Sequence, residues 1–206
     1  MEDRKKHWED VYSRQASDAV SWYQRTPATS LSLIRASSAE SAARVIDVGG
    51  GGSTLVDGLL ALGYRNLTVL DLAGTALAVA RRRLGAAAVA VEWVTADITS
   101  WRPAAPFDIW HDRAVFHFLT DVSARQGYVT ALIKGLKLGG TAIIGTFALD
   151  GPERCSGLPV RRYSPETLTA ELGSRFSLAE TRHEDHITPG GKQQRFTWCR
   201  FVKVSE

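Results

Sequence analysis

Four aspartates and a run of glycines carry most of the chemistry this sequence offers. The run reads Arg44-Val45-Ile46-Asp47-Val48-Gly49-Gly50-Gly51-Gly52-Ser53, an apolar stretch with an acid followed by four glycines, and helical spacing begins at Ser53. Glycine there admits positive φ and leaves no Cβ between the main chain and a ligand. The first amides of the following helix point unpaired beyond the strand end. Asp47, Asp71, Asp97 and Asp112 each fall at the end of a successive apolar run. In an open parallel sheet, ligands sit outside those carboxyl ends. Asp71 lies 22 residues beyond Gly49, the spacing at which a carboxylate accepts two ribose hydroxyls, and its charge excludes a 2′-phosphate. Asp97 is placed to accept from the exocyclic amine of an adenine. Asp47, beside the turn, either holds an amino group or buttresses the loop.

The turn separates two cofactor classes. A dinucleotide fingerprint G-x-G-x-x-G needs glycine at positions 49, 51 and 54, but position 54 is threonine. The register is instead Gly49-x-Gly51-x-Ser53, with Asp47 ahead of it. Acids facing the turn repel a pyrophosphate and welcome a cationic sulfonium bearing an amino group. The residues therefore favour S-adenosyl-L-methionine over NAD. Methyl transfer from a sulfonium asks the protein for alignment and exclusion of water, and for a base only when the acceptor arrives protonated. Candidate groups near the methyl are His111, Asp112 and His117, of which Asp112 and His117 are the expected catalytic residues. Strand alternation puts His111 and Asp112 on opposite faces. His117, in the turn after the fourth strand, either faces the acceptor or packs as a capping histidine.

These residues need a scaffold of alternating strands and helices. The spacing predicts strands over residues 45–48, 67–70, 89–95, 107–111 and 141–147. Helices are expected over 53–62, 75–84 and from Asp121 to Lys137, with Gly63 and Gly85 as stops. Such alternation implies right-handed crossovers and a parallel sheet. Ser164-Pro165-Glu166 reads as a helix start, and residues 176–186 and 195–204, joined through Thr188-Pro189-Gly190-Gly191, read as an antiparallel hairpin at the sheet edge. The fold class is thus α/β, a three-layer Rossmann-like sheet of seven strands. Ahead of it, residues 1–39 are expected to form a helical arm with Trp8, Tyr12, Trp22 and Tyr23, which docks on residues 40–206, closes as a lid over the cofactor pocket, or does both. The Gly- and Pro-rich segment 150–159 is an expected acceptor wall. In it Cys155 is a wall residue or a reactive thiol, while Arg154, Arg161 and Arg162 attract an anionic acceptor or are solvated.

Composition sets the outer bounds. The chain has 206 residues, 44% hydrophobic and 23% charged, with a formal net charge of +3. It is long enough for a core without staples. Two cysteines give neither a disulfide framework nor a metal cluster, so no metal is expected. Arg81-Arg82-Arg83 suits the negative end of a helix rather than a nucleic acid. Met1-to-Asp10 lacks the apolar core of a signal peptide, and no apolar run is long enough to span a bilayer. A cytoplasmic protein, monomer or homodimer, with neither nucleic acid nor membrane as partner, is expected.

Residues 40–203 resemble a class I S-adenosylmethionine-dependent methyltransferase. Asp47-Val48-Gly49-Gly50-Gly51-Gly52-Ser53 resembles the family's first motif, and Asp71 matches its ribose-binding acid. Ala96-Asp97-Ile98 is similar to the adenine-side motif, and Phe107-Asp108-Ile109-Trp110-His111-Asp112-Arg113 to the fourth. The resemblance implies cofactor contacts from Trp22, Asp47, Gly49, Gly51, Ser53, Asp71, Leu72, Asp97, Ile98 and Asp112, with S-adenosyl-L-homocysteine as product. The arm His7-Trp8-Glu9-x-x-Tyr12, Ser53 and the Asp112-Arg113 pair are similar to elongation-factor and citrate synthase lysine methyltransferases. His117 stands where those enzymes carry an acid, and resembles bacterial small-molecule methyltransferases instead. The expected acceptor is a small-molecule thiol, amine or hydroxyl, with protein lysine as the alternative. An NAD-dependent oxidoreductase and a non-catalytic cofactor-binding module stay open as other classes.

Overall fold

The computed structural model describes residues 2–37 and 39–206; Met1 and Ser38, both within the expected arm, lie outside them. Helix α1 (Glu2–Arg14) and helix α2 (Ala28–Ala36) precede strand β1 (Arg44–Val48), and α3 (Leu55–Ala61) follows the glycine turn. Then come β2 (Asn66–Asp71), α4 (Gly74–Leu84), β3 (Val91–Thr95), β4 (Phe107–Arg113), α5 (Val122–Gly135) and β5 (Leu136–Phe147). A short hairpin, β6 (Arg154–Cys155) and β7 (Leu158–Pro159), leads to α6 (Pro165–Leu172), β8 (Phe176–Ile187) and β9 (Gln193–Lys203). The main sheet has seven strands in the order β3-β2-β1-β4-β5-β9-β8. The first five are parallel, and β9 pairs antiparallel with both β5 and β8. This is the seven-stranded architecture expected, with the antiparallel pair at one edge.

The inner parallel strands β1, β2, β4 and β5 are largely apolar on both faces because helices cover both, while the edge strand β3 is only partly buried. Ile46 and Val48 point with Trp110 and Ile144 into a core closed by Tyr128 and Leu132 of α5 and Leu168 of α6. Val45, Val69, Ile109 and Ile143 face the other way, against Leu33 and Ile34 of α2 and Leu55, Val56 and Leu59 of α3. Burying each of these side chains stabilises the fold by about 1.5–3 kcal/mol. The sheet order reverses between β1 and β4, where crossovers leave toward opposite faces, and a crevice opens outside their carboxyl ends.

Several element ends differ from the sequence expectation. Residues 85–90 form a 3-10 turn, with Val89 93% exposed, so β3 starts at Val91. The fifth helix stops at Gly135, and Leu136 already pairs with Phe107. Lys137 therefore lies in β5, its Nζ 2.6 Å from Asp108 Oδ1. Asp121 occupies the N-cap position of α5 without a side-chain cap bond. Ser164 does cap α6, through a capping box with Thr167.

Candidate active site

The glycine turn is shaped by what lies against it. Gly49 has φ +71°, and a Cβ there would stand 2.0 Å from Val115 Cγ2. A Cβ on Gly51 would lie 2.4 Å from Ala76 Cβ and 2.7 Å from Asp71 Oδ2. The bare turn thus lets Asp71, at the end of β2, come up against the main chain. Its Oδ2 accepts from the Gly51 amide at 3.0 Å and its Oδ1 from the Ala73 amide at 2.9 Å. Burial nonetheless pushes this carboxyl up to about 6, with the nearby Asp47 charge adding to the rise. Ser53 Oγ accepts from the Leu55 amide at 3.1 Å and so starts α3, while Thr54 Oγ1 donates to the Gln24 carbonyl at 2.8 Å.

Two cavities meet at this turn. The larger, about 820 Å³ of space open to solvent, runs over the ends of β1 and β2, past Asp71 and Leu72 to Ala96, Asp97 and Ile98. Arg113, Ala114, Val115, Phe118 and Leu119 after β4 form its other side, with Cys155 at one end. The smaller, about 510 Å³, lies beneath residues 17–30 and is bordered by Asp47, Gly50, Ser53 and His111. Tyr12, Trp22, Gly49 and Arg113 border both. The structure therefore brings Trp22, Asp47, Gly49, Ser53, Asp71, Leu72, Asp97 and Ile98 around one joined crevice. Gly51 serves it from behind by holding Asp71.

The arm roofs the crevice. Glu9 accepts from the Gly74 amide at 2.8 Å and the Thr75 amide at 3.0 Å, capping α4 from another element. Burial lifts the Glu9 carboxyl, but the Thr75 and Gly74 hydrogen bonds outweigh it and hold the group below its ordinary value. Arg4 reaches within 3.9 Å of Asp97, whose Oδ1 also accepts from the Thr99 amide at 2.9 Å. Trp22 Nε1 donates to Tyr12 Oη at 3.1 Å. Trp8 stands edge-on to Trp22 at 5.5 Å and to Phe118 at 5.1 Å. The spacing of Trp8 and Tyr12 signals a common face; Glu9 and Arg4 carry no such signal.

On β4, alternate side chains serve opposite purposes. His111 Nδ1 lies 2.8 Å from Asp47 Oδ1, leaving Asp47 Oδ2 and His111 Nε2 buried without partners. Gly145 opposite Trp198 in the β5–β9 pair leaves room for the indole, which packs 5.8 Å from the imidazole. Arg113 follows on the same face. Its Nη1 donates to the Trp22 carbonyl at 2.9 Å and its Cζ stands 4.7 Å above the Phe196 ring. Its Nε and Nη2 are buried with no acceptor, and burial pulls its pKa down to about 10.

The two residues expected to be catalytic border neither cavity, which corrects their expected place. Asp112 is fully buried on the opposite face, where Oδ1 accepts from the Val115 amide at 2.8 Å and Oδ2 from Phe116 N at 3.1 Å and Tyr128 Oη at 2.7 Å. It ties the turn after β4 to α5, and burial pushes it up to about 6. His117 is also fully buried, between the Phe118 and Phe147 rings, with Nδ1 accepting from the Phe147 amide at 3.4 Å. Burial, and then the Arg113 charge, push it down to about 3, so it stays neutral. Cys155 borders the larger cavity, and burial pushes its thiol up to about 11. Among the described residues no group of three His, Cys, Asp or Glu side chains is placed to hold a metal ion, and no helix is long and apolar enough to cross a membrane.

Residues 45–140 match the family model described as a methyltransferase domain. No curated protein sequence matches the chain. Among solved structures, one described as "Conversion of a Disulfide Bond into a Thioacetal Group during Echinomycin Biosynthesis" superposes with a TM-score of 0.76 at 19% identity, covering 97% of this chain and 91% of that one. The 1,6-didemethyltoxoflavin-N1-methyltransferase of Burkholderia thailandensis gives 0.70 at 19% identity, covering 99% and 85%. The N-methyltransferase NodS of Bradyrhizobium japonicum WM9 gives 0.68 at 18% identity, covering 88% and 90%. Residues 45–140, from β1 into β5, thus match a methyltransferase domain, and the whole chain shares the seven-stranded, Rossmann-like α/β fold of these solved structures.

Proposed function

We propose that the protein transfers a methyl group from S-adenosyl-L-methionine to a small-molecule acceptor and releases S-adenosyl-L-homocysteine. The observation that carries this reading is the joined crevice, with an amide-held carboxylate at one end and unpartnered polar atoms at the other. The residues fit the cofactor. Asp71 Oδ1 and Oδ2 each have a lone pair left for a ribose hydroxyl, and Leu72 and Ile98 offer apolar walls for an adenine beside Asp97. Bare Gly49 and Gly50 let a chain pass into the smaller cavity, where Asp47 Oδ2 is free to accept from an amino group. When bound, the cofactor supplies an activated methyl on a positively charged sulfur. Asp71 positions it, the tryptophan-lined roof excludes water, and the fixed β4 turn aligns the acceptor. Trp22 and Ser53 border the methionine end, with Ser53 also setting the start of α3.

The Burkholderia and Bradyrhizobium neighbours, both with bound S-adenosylhomocysteine, support the same cofactor, and the Burkholderia enzyme, with bound 1,6-didemethyltoxoflavin, supports a small acceptor. A crevice roofed by the chain's own arm also favours a small molecule over a lysine on a folded protein. Calorimetric titration of the protein with S-adenosylhomocysteine and with NAD tests the reading: the first is expected to bind, and binding of NAD alone would overturn it. Radiolabelled methyl transfer into a fractionated lysate is then expected to place label in the small-molecule fraction.

A further inference from the structure

Arg113 stands out among the groups around the crevice that the cofactor leaves over. It sits at the junction of the two cavities, pinned through Nη1 to the Trp22 carbonyl and stacked on Phe196. Its Nε and Nη2 lie buried with no acceptor. An unpartnered cation in such a place is costly unless something of opposite charge arrives. The charges facing it are otherwise engaged. From β8, Glu184 Oε1 accepts from Gln24 at 2.7 Å and Oε2 from Trp198 Nε1 at 2.7 Å. From β1, Asp47 turns Oδ1 to His111, and its Oδ2 is read above as the acceptor for the cofactor's amino group. His186 of β8 donates through Nε2 to the Ser21 carbonyl at 2.8 Å, and the Arg113 charge helps burial push it below its ordinary value. His117, after β4, is neutral for the same two reasons, and Cys155 of β6 stays a thiol. Among the described residues no carboxylate forms an ion pair with Arg113.

An acceptor that arrives as an anion also asks no base of the crevice. Asp71 is committed to two amides and Asp97 Oδ1 to Thr99, with Arg4 facing Asp97 Oδ2 at 3.9 Å; the carboxylate of Asp112 lies on the far side of the sheet, and the unpartnered Asp47 Oδ2 and His111 Nε2 lie at the smaller cavity, read above as the place of the cofactor's amino group. We propose that Arg113 is the counter-ion of the methyl acceptor, and that the protein takes small aromatic acceptors that react as anions, thiolates foremost. The body of the acceptor lies against Trp8, Trp22 and Phe118, whose rings pack edge to edge above the same junction. The bond formed joins the acceptor's anionic atom to the methyl carbon. The carbon–sulfonium bond breaks with its electron pair staying on sulfur. Anion and cation become two neutral products, and no proton is released. This inference rests on the cofactor reading above and adds to it the charge of the acceptor.

Calorimetry of the S-adenosylhomocysteine-loaded protein separates the two. Benzenethiol, titrated above its ionisation range, and benzoate are the anionic probes, and benzylamine is the cationic probe of the same size. The thiolate is expected to bind, with benzoate second and benzylamine at least about tenfold weaker than the thiolate, the scale of a lost charge-assisted hydrogen-bonded pair. Arg113→Gln is expected to weaken thiolate binding about tenfold and to erase the preference, and Arg113→Lys to restore part of it. Each variant is checked for unchanged melting and for S-adenosylhomocysteine affinity. Benzylamine binding as tightly as benzenethiol, or thiolate affinity unmoved in Arg113→Gln, would overturn the proposal. Loss of S-adenosylhomocysteine binding in a folded Arg113→Gln would also overturn it, assigning the guanidinium to the cofactor's own carboxylate. Failure of the wild-type protein to bind S-adenosylhomocysteine would instead strike the cofactor reading.

Discussion

Burial lifts the Asp71 carboxyl to about 6 while two amides hold its oxygens toward the crevice, so its charge depends on pH near neutrality. A ribose diol donates to the ionised form. As pH falls through about 6, the ionised fraction falls, and S-adenosylhomocysteine affinity is expected to drop by up to about tenfold per unit below that point. For the unliganded protein the sign reverses: an acid whose folded value is raised costs stability as it ionises, so melting should be higher near pH 4 than near pH 7 in respect of this group. Asp71→Ala is expected to abolish binding in the same titration, and unchanged affinity would remove the ribose assignment. Asp112 behaves differently. Because its carboxylate accepts from Val115, Phe116 and Tyr128, Asp112→Asn should lower stability by about 1–3 kcal/mol in thermal melting while leaving cofactor affinity intact. The place of Asp71 is legible from its distance to the glycines, because strand length and turn length fix it. The roles of Asp112 and His117 are not legible. A sequence shows that a polar residue lies near a strand end, but not which amides in the next turn need an acceptor, nor that aromatic rings will close around an imidazole. Arg113 is legible only through resemblance, since its two idle donors are a property of packing.

Between elements, the decisive contact is Glu9 at the start of α4. A carboxylate accepting two first-turn amides satisfies orphan donors and sits at the positive end of the helix. Its depressed ionisation means that the stabilisation is present above the ordinary carboxyl range and is lost as pH falls through the lowered value. Glu9→Ala is expected to cost about 1 kcal/mol through the cap and to loosen the arm. Faster tryptic cleavage after Arg14 and a shift in tryptophan emission from Trp8 and Trp22 would report it; an unchanged digestion pattern would show that the aromatic contacts hold α1 alone. Helices and strands were mostly readable from their periodicity, because the sheet is covered on both faces and each strand is a short apolar block. The ends that escaped, Val91 and Leu136, are set by pairing with β2 and β4, which no local window contains.

At the scale of the molecule, the sheet divides labour. Strands β1 to β5 present loops at one end, while β8 and β9 extend the sheet and place Trp198 and Phe196 under His111 and Arg113. The crevice lies where the strand order reverses, so its location follows from topology alone. Its roof does not: α1, the segment around Trp22 and the β6–β7 hairpin come from three separate parts of the chain.

That roof turns the arm into a clock. Glu9 and Arg4 fasten α1 over the crevice from which, in the proposed reaction, the spent cofactor leaves, so opening of those contacts is expected to set the pace of turnover. Rapid-quench measurement should then give a burst of one methylated product per enzyme before a slower steady rate. Glu9→Ala should quicken that steady rate even as it loosens the protein's hold on S-adenosylhomocysteine. A linear time course from the first turnover would mean that the arm rides open and keeps no time.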